Sequence, residues 1–104
     1  MIEHIDNWRQ SGLSTAMIKQ YAKGEIIAQE GQHLQCAFIV DSGRVELLEH
    51  GEDGMESVAS IIGPDQIFGE MSLIFGVPFA NTARALEECQ ITLLTRESYQ
   101  SMLE

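Results

Sequence analysis

A chain of 104 residues is one domain at most and can bury one modest core. Apolar residues at 44% and charged residues at 21% exclude a disordered, collagenous or membrane-embedded chain and predict an ordinary folded domain. Sixteen acids against six bases give a formal net charge of -10, and the bases Arg9, Lys19, Lys23, Arg44, Arg84 and Arg96 are spread along the whole length. Without a basic stripe such a polyanion repels phosphate backbones and anionic lipid, so neither nucleic acid nor membrane is an expected partner.

No apolar run approaches the ~18 residues of a membrane span. The first residues, Met1 to Asp6, carry acids where an export signal carries bases, so the expected compartment is the cytoplasm. Cys36 and Cys89 are two distant thiols and read as small buried hydrophobes rather than a disulfide framework.

In chain order, Ile2, Ile5 and Trp8 recur every three positions, with Gly12 as a stop, which predicts a short amphipathic helix packed as a flap over residues 1–16. In the next stretch Ser14 could cap a second helical turn with Leu13 and Ile18 as a staple, yet Met17 to Tyr21 also reads as a strand, and a strand from about Ile18 is favoured. Short β-type runs then follow at 25–29, 36–41, 44–50, 56–62, 80–86 and 90–94, separated by turn residues such as Ser42-Gly43 and Gly63-Pro64-Asp65. Strands this short and this regularly punctuated predict a sandwich or closed roll rather than alternating β/α units. Asp41-Ser42-Gly43 and Gly51-Glu52-Asp53-Gly54 read as tight hairpin turns.

Two helical signals interrupt or close the series. Residues 70–75 lie between Gly69 and Gly76 and suit one or two turns bounded by glycines. Near the end, Thr95 can cap a helix in which Leu94 and Tyr99 stand at staple positions and Tyr99, Met102 and Leu103 share a face. The expected organisation is a flap at 1–16, a β-roll at 17–95 and the start of a C-terminal helix at 96–104, as in a domain cut from a longer protein.

Sites of other kinds find little support. His33 and Cys36 stand three apart, and His50 and Cys89 add nothing at ligand spacing, so a metal or haem site is not expected. The acids Glu46, Glu49, Glu52, Asp53 and Glu56 lack the spacing of a calcium loop and read as a solvated hairpin tip. There is no nucleophile elbow, phosphate loop or zinc-protease motif, so an enzyme is not expected.

The informative stretch is Phe68-Gly69-Glu70-Met71-Ser72-Leu73, then Ile74-Phe75-Gly76-Val77-Pro78, then Phe79-Ala80-Asn81-Thr82-Ala83-Arg84. It resembles the phosphate-binding cassette of the cyclic nucleotide-binding domain family. Lys23-Gly24-Glu25-Ile26-Ile27 and Phe38-Ile39-Val40-Asp41-Ser42-Gly43-Arg44-Val45 are similar to the family's opening strands and first hairpin. The resemblance covers about residues 19 to 98. It implies an all-β, jelly-roll-like roll of eight strands with short flanking helices and a cassette helix. The implied function is a regulatory or sensor domain, with cyclic AMP or cyclic GMP as the default ligand and no other cofactor.

A cyclic phosphodiester carries one negative charge, and Gly69 with the turn through Glu70, Met71 and Ser72 supplies backbone N–H groups to cradle it. Glu70 matches the family residue that accepts a hydrogen bond from the ribose hydroxyl. It also reads as a helix-start carboxylate, favourable beside the helix dipole with no ligand at all. The family's phosphate-binding arginine and the Ser or Thr after it are matched here by Phe79 and Ala80. Losing that guanidinium fork weakens phosphate binding by roughly one to two orders of magnitude or more. Arg84 matches a different arginine, and an odd offset of five in one regular strand puts it on the face opposite Phe79. Leu47 and Ala59 resemble base-lining positions but read more readily as core.

Two readings stand. In the first, ligand binding shifts a two-state population and passes the signal to an effector domain or partner protein outside this chain, with a homodimer through a C-terminal helix beyond this chain as one form of that partnership. In the second, the roll binds no nucleotide and serves as a docking or dimerisation module, or takes a different small effector.

Overall fold

The computed structural model describes residues 17–103. Eight strands form two four-stranded antiparallel sheets, carrying two short helices. In chain order they are β1 (Met17–Tyr21), β2 (Ile26–Ala28), β3 (Ala37–Ser42), β4 (Val45–His50), β5 (Glu56–Ile62), β6 (Ile67–Phe68), helix α1 (Glu70–Phe75), β7 (Thr82–Ala85), β8 (Cys89–Leu94) and helix α2 (Arg96–Leu103). The first sheet has the order β1-β8-β3-β6 and the second β2-β7-β4-β5, so successive strands repeatedly change sheet. This is the expected all-β roll, and the eighth strand is the two-residue β6.

Side-chain alternation decides what each strand buries. In β7, Ala83 and Ala85 enter the core between the sheets while Arg84 faces outward. Strand β3 is buried on both faces, which is why Ala37-Phe38-Ile39-Val40 reads as an unbroken apolar run. Phe38 and Val40 point between the sheets; Ala37 and Ile39 point to a second cluster, with Leu73 of α1 and Met102 of α2. Both helices therefore lie on the outer face of the first sheet.

Several expectations change. The Ser42-Gly43 step joins strands of different sheets instead of closing a hairpin. Gly43 is required there: its φ is 84°, and a Cβ would lie 2.7 Å from the Cys89 sulfur. The Gly51 turn does close the β4–β5 hairpin, with Gly51 N–H donating to Met55 O at 2.9 Å. The run expected at 80–86 is strand only from Thr82 to Ala85. Ala59 is exposed at a bulge in β5, opposite the Leu47–Leu48 step, rather than in the core. Cys36 is half-buried while Cys89 is buried, and both thiols are free. Thr95 caps α2 as expected, its hydroxyl accepting from Ser98 N–H at 3.1 Å, and Leu94 and Tyr99 share a cluster. Leu103 stands 62% exposed, off the packed face. The helix expected at Ile2 to Arg9 and the flap lie outside the described residues. No described helix is long and apolar enough to cross a membrane.

Candidate functional site

Helix α1 is held at both ends by glycines in the left-handed region, Gly69 with φ 82° and Gly76 with φ 67°. At Gly69 packing adds to the conformational demand, since a Cβ would sit 2.8 Å from Leu34 Cδ1 and 3.3 Å from the Phe38 ring. That glycine is thus explained by the core beneath it, independently of any ligand above it.

The segment after α1 is tied down from below. Ser72 Oγ accepts from Leu34 N–H at 3.2 Å and donates to Val77 O at 2.6 Å, so the buried hydroxyl is committed to structure. Phe79 N–H donates to Gln32 O and Phe79 O accepts from Gly31 N–H, both at 2.8 Å. These bonds turn the Phe79 ring inward, where it is 7% exposed and 6.4 Å from Phe68, itself stacked on Phe38 at 4.9 Å. Phe79 lies outside β7, so the regular-strand argument relating it to Arg84 does not apply. Arg84 is nonetheless directed away, to Glu46 at 2.9 Å and Glu56 at 3.2 Å on the outer face of the second sheet.

Above this floor lies a cavity of about 260 Å³ between α1, the 77–81 segment and strands β4 and β5. It brings together Gly69, Glu70, Met71, Ser72, Phe79 and Ala80. Sequence reasoning missed Ile62, Ile67, Val77, Pro78 and Asn81, which complete the wall with Leu47. Ala59 is not part of it. Met71 is 61% exposed at the rim, Ala80 is exposed, and Phe79 forms the floor while belonging to the core.

The cavity's electrostatics are one-sided. Among the described residues Glu70 is the only ionisable one that lines it, and no Lys, Arg or His does. The half-buried Glu70 also lines two clefts beside Tyr99 of α2. Burial pushes the Tyr99 hydroxyl pKa up, and the nearby Glu70 carboxylate adds to the rise. A residue not anticipated as part of the site is Arg96, whose guanidinium donates to Leu73 O and to Ile74 O, the latter at 3.2 Å. It caps the C-terminal end of α1 from the first turn of α2. The available signal was a cation placed where its own helix dipole disfavours it. Among the described residues no group of three or more His, Cys, Asp or Glu side chains gathers as a metal site would require.

The fold has counterparts among known proteins. The family model described as "Cyclic nucleotide-binding domain" matches residues 18–104. The potassium channel SKOR of Arabidopsis thaliana is 31% identical over 84 residues, covering 81% of this chain and 10% of the channel. The cyclic AMP receptor protein of Thermus thermophilus is 32% identical over 91 residues, covering 88% of this chain and 42% of that protein. The crystal structure of the Thermus thermophilus catabolite activator protein superposes with a TM-score of 0.82 at 30% identity, covering 99% of this chain and 46% of that one. This chain therefore spans less than half the length of these relatives. With two antiparallel sheets, a glycine-bounded cassette helix and a family match over residues 18–104, the chain belongs to the cyclic nucleotide-binding domain family.

Proposed function

We propose that this chain is the effector-sensing module of a larger regulatory protein, and that the effector binds in the cavity bounded by Gly69, Glu70 and Phe79. The observation that carries the reading is the cavity itself, where the cassette places one carboxylate against an otherwise uncharged, mainly apolar wall. A nucleotide-type ligand suits two parts of it: a base against Leu47 and Ile62, and a sugar hydroxyl on Glu70. Cyclic AMP and cyclic GMP are the default members of that class. The crystal structure titled "cAMP bound PfPKA-R", with a TM-score of 0.81 at 27% identity, supports the class. Binding biases the arrangement of α1 and α2, and an attached effector domain or partner protein reads the change. No catalytic role is assigned to Glu70, and free thiols at Cys36 and Cys89 support a reducing compartment such as the cytoplasm.

Phe79 favours a second reading, in which the roll binds no nucleotide and acts as a docking or dimerisation module. Calorimetric titration with cyclic AMP and cyclic GMP separates the two when the native chain is run beside Glu70→Ala and Phe79→Arg. Native binding tighter than about 100 µM that Glu70→Ala abolishes supports the sensor. Silence from the native chain, with binding gained by Phe79→Arg, supports the docking module.

A further inference from the structure

The described side chains that line the cavity carry one negative charge and no positive one. Glu70 has no hydrogen-bonding partner among the described residues, and as a carboxylate it only accepts. Asn81 gives one amide N–H to Leu48 O at 3.3 Å, which leaves its side-chain oxygen and its second N–H, both uncharged. The Ser72 hydroxyl is committed on both sides. The described cations are held elsewhere: Arg44 on Glu87, Arg84 on Glu46 and Glu56, Arg96 on main-chain oxygens, and Lys19 over the Tyr21 ring at 5.5 Å. Lys23 does not line the cavity.

An anion entering here loses water, meets only the uncharged main-chain N–H groups at the start of α1 and no opposite charge, and approaches a carboxylate, in a chain of net charge -10. An uncharged ring bearing hydroxyl and amine donors loses less and gains charge-assisted hydrogen bonds to Glu70. We infer that the cavity selects an uncharged, donor-bearing ligand of the nucleoside class over the corresponding cyclic phosphate. The inference rests on the reading of this cavity as the effector site and adds the charge of the effector. Glu70 is then the specificity-determining residue, attracting sugar hydroxyls and repelling phosphate.

The test is calorimetric titration of the 104-residue chain with adenosine, guanosine, cyclic AMP and cyclic GMP, at about 20 mM and about 300 mM sodium chloride. At low salt a nucleoside is expected to bind at least about tenfold more tightly than its cyclic phosphate, and screening narrows the gap at high salt. Glu70→Gln moves the two in opposite directions, strengthening cyclic phosphate binding and weakening nucleoside binding. Tighter binding of a cyclic nucleotide at both salt concentrations, lost in Glu70→Gln, overturns the inference and leaves the sensor reading standing. Native silence toward all four ligands also overturns it. In that case a Phe79→Arg variant that binds cyclic nucleotide shows a once-competent cavity, whereas a folded but silent variant removes the effector site as well.

Discussion

Arg84 faces Glu46 across the β7–β4 pair, its Nε 2.9 Å from the carboxylate, on the side of the second sheet that faces away from the cavity. The two lie in a row that continues to Ile26 on β2 and Ile61 on β5. The guanidinium also reaches Glu56, which pairs with His50, so the ion pairs run diagonally across the row that holds Leu48. The one cation on the strand after the cassette therefore holds the second sheet together and leaves the ligand space without a positive charge.

Removing Arg84 alone strands a carboxylate whose side chain is only 10% exposed, and that is the costly event. Arg84→Leu is expected to lower the urea midpoint clearly. The double variant Arg84→Leu with Glu46→Leu recovers much of the loss, because two apolar side chains then join Ile26 and Ile61 in the same row. Equal and additive losses in a double-mutant cycle show instead that the pair is not coupled.

The two glycines that bound α1 differ in what lies above their Cα atoms, which separates backbone strain from packing. Gly76→Ala meets open space, so only the left-handed conformation is penalised, at about 1 kcal/mol. Gly69→Ala carries the same strain and also collides with Leu34 and Phe38, adding about 1–3 kcal/mol from overpacking. Denaturant unfolding of the two variants checks the order, and equal losses contradict the packing account of Gly69.

Arg96 joins the end of α1 to the start of α2 through Leu73 O and Ile74 O. Carbonyls at a helix C-terminus have no intrahelical partner, and a cation there is favoured by the dipole. Arg96→Met is expected to lower stability by about 1 kcal/mol. It also speeds amide exchange at Leu73 and Gly76, whose N–H groups bond to Gly69 O and Ser72 O. Arg96→Lys restores the charge without the two-pronged geometry and recovers part of the loss. Exchange in α1 that does not respond to Arg96→Met removes this coupling.

The roll was legible because its signals are local. Alternation in Thr82–Ala85, the Gly51–Gly54 turn and the Thr95 cap each act within a few residues, and each appears where sequence reasoning puts it. The assignment of strands to sheets was not legible at Ser42-Gly43, because a hairpin turn and a crossing between sheets draw on the same residues. Phe79 is the instructive case in the site. It lies in no regular element, so no periodicity gives its direction. Its ring is aimed by main-chain bonds from Gly31 and Gln32, almost fifty residues earlier. Gly69 and Glu70 could be placed from the motif, whereas the walls from Ile62, Ile67 and Asn81 arise only when β5, β6 and the 77–81 segment converge.

His50 sits between two acids, with Nδ1 3.0 Å from Glu30 and Nε2 3.5 Å from Glu56, and thereby links the residues after β2 to the β4–β5 hairpin. The hydrogen bond to Glu30 raises its pKa above the ordinary 6.5, desolvation opposes that rise, and the charges of Glu30 and Glu56 add to it. Because the folded value lies above the unfolded one, the protonated imidazole's contribution is fully present below pH 6.5 and is lost as pH rises through the folded value. Native stability relative to His50→Gln is therefore expected to be greatest in mildly acidic solution and to shrink toward neutral and alkaline pH. Parallel urea titrations of the two proteins across that range check the sign. A stability difference that is flat with pH, or that grows as pH rises, shows that the imidazole is not held in its charged form by the two carboxylates.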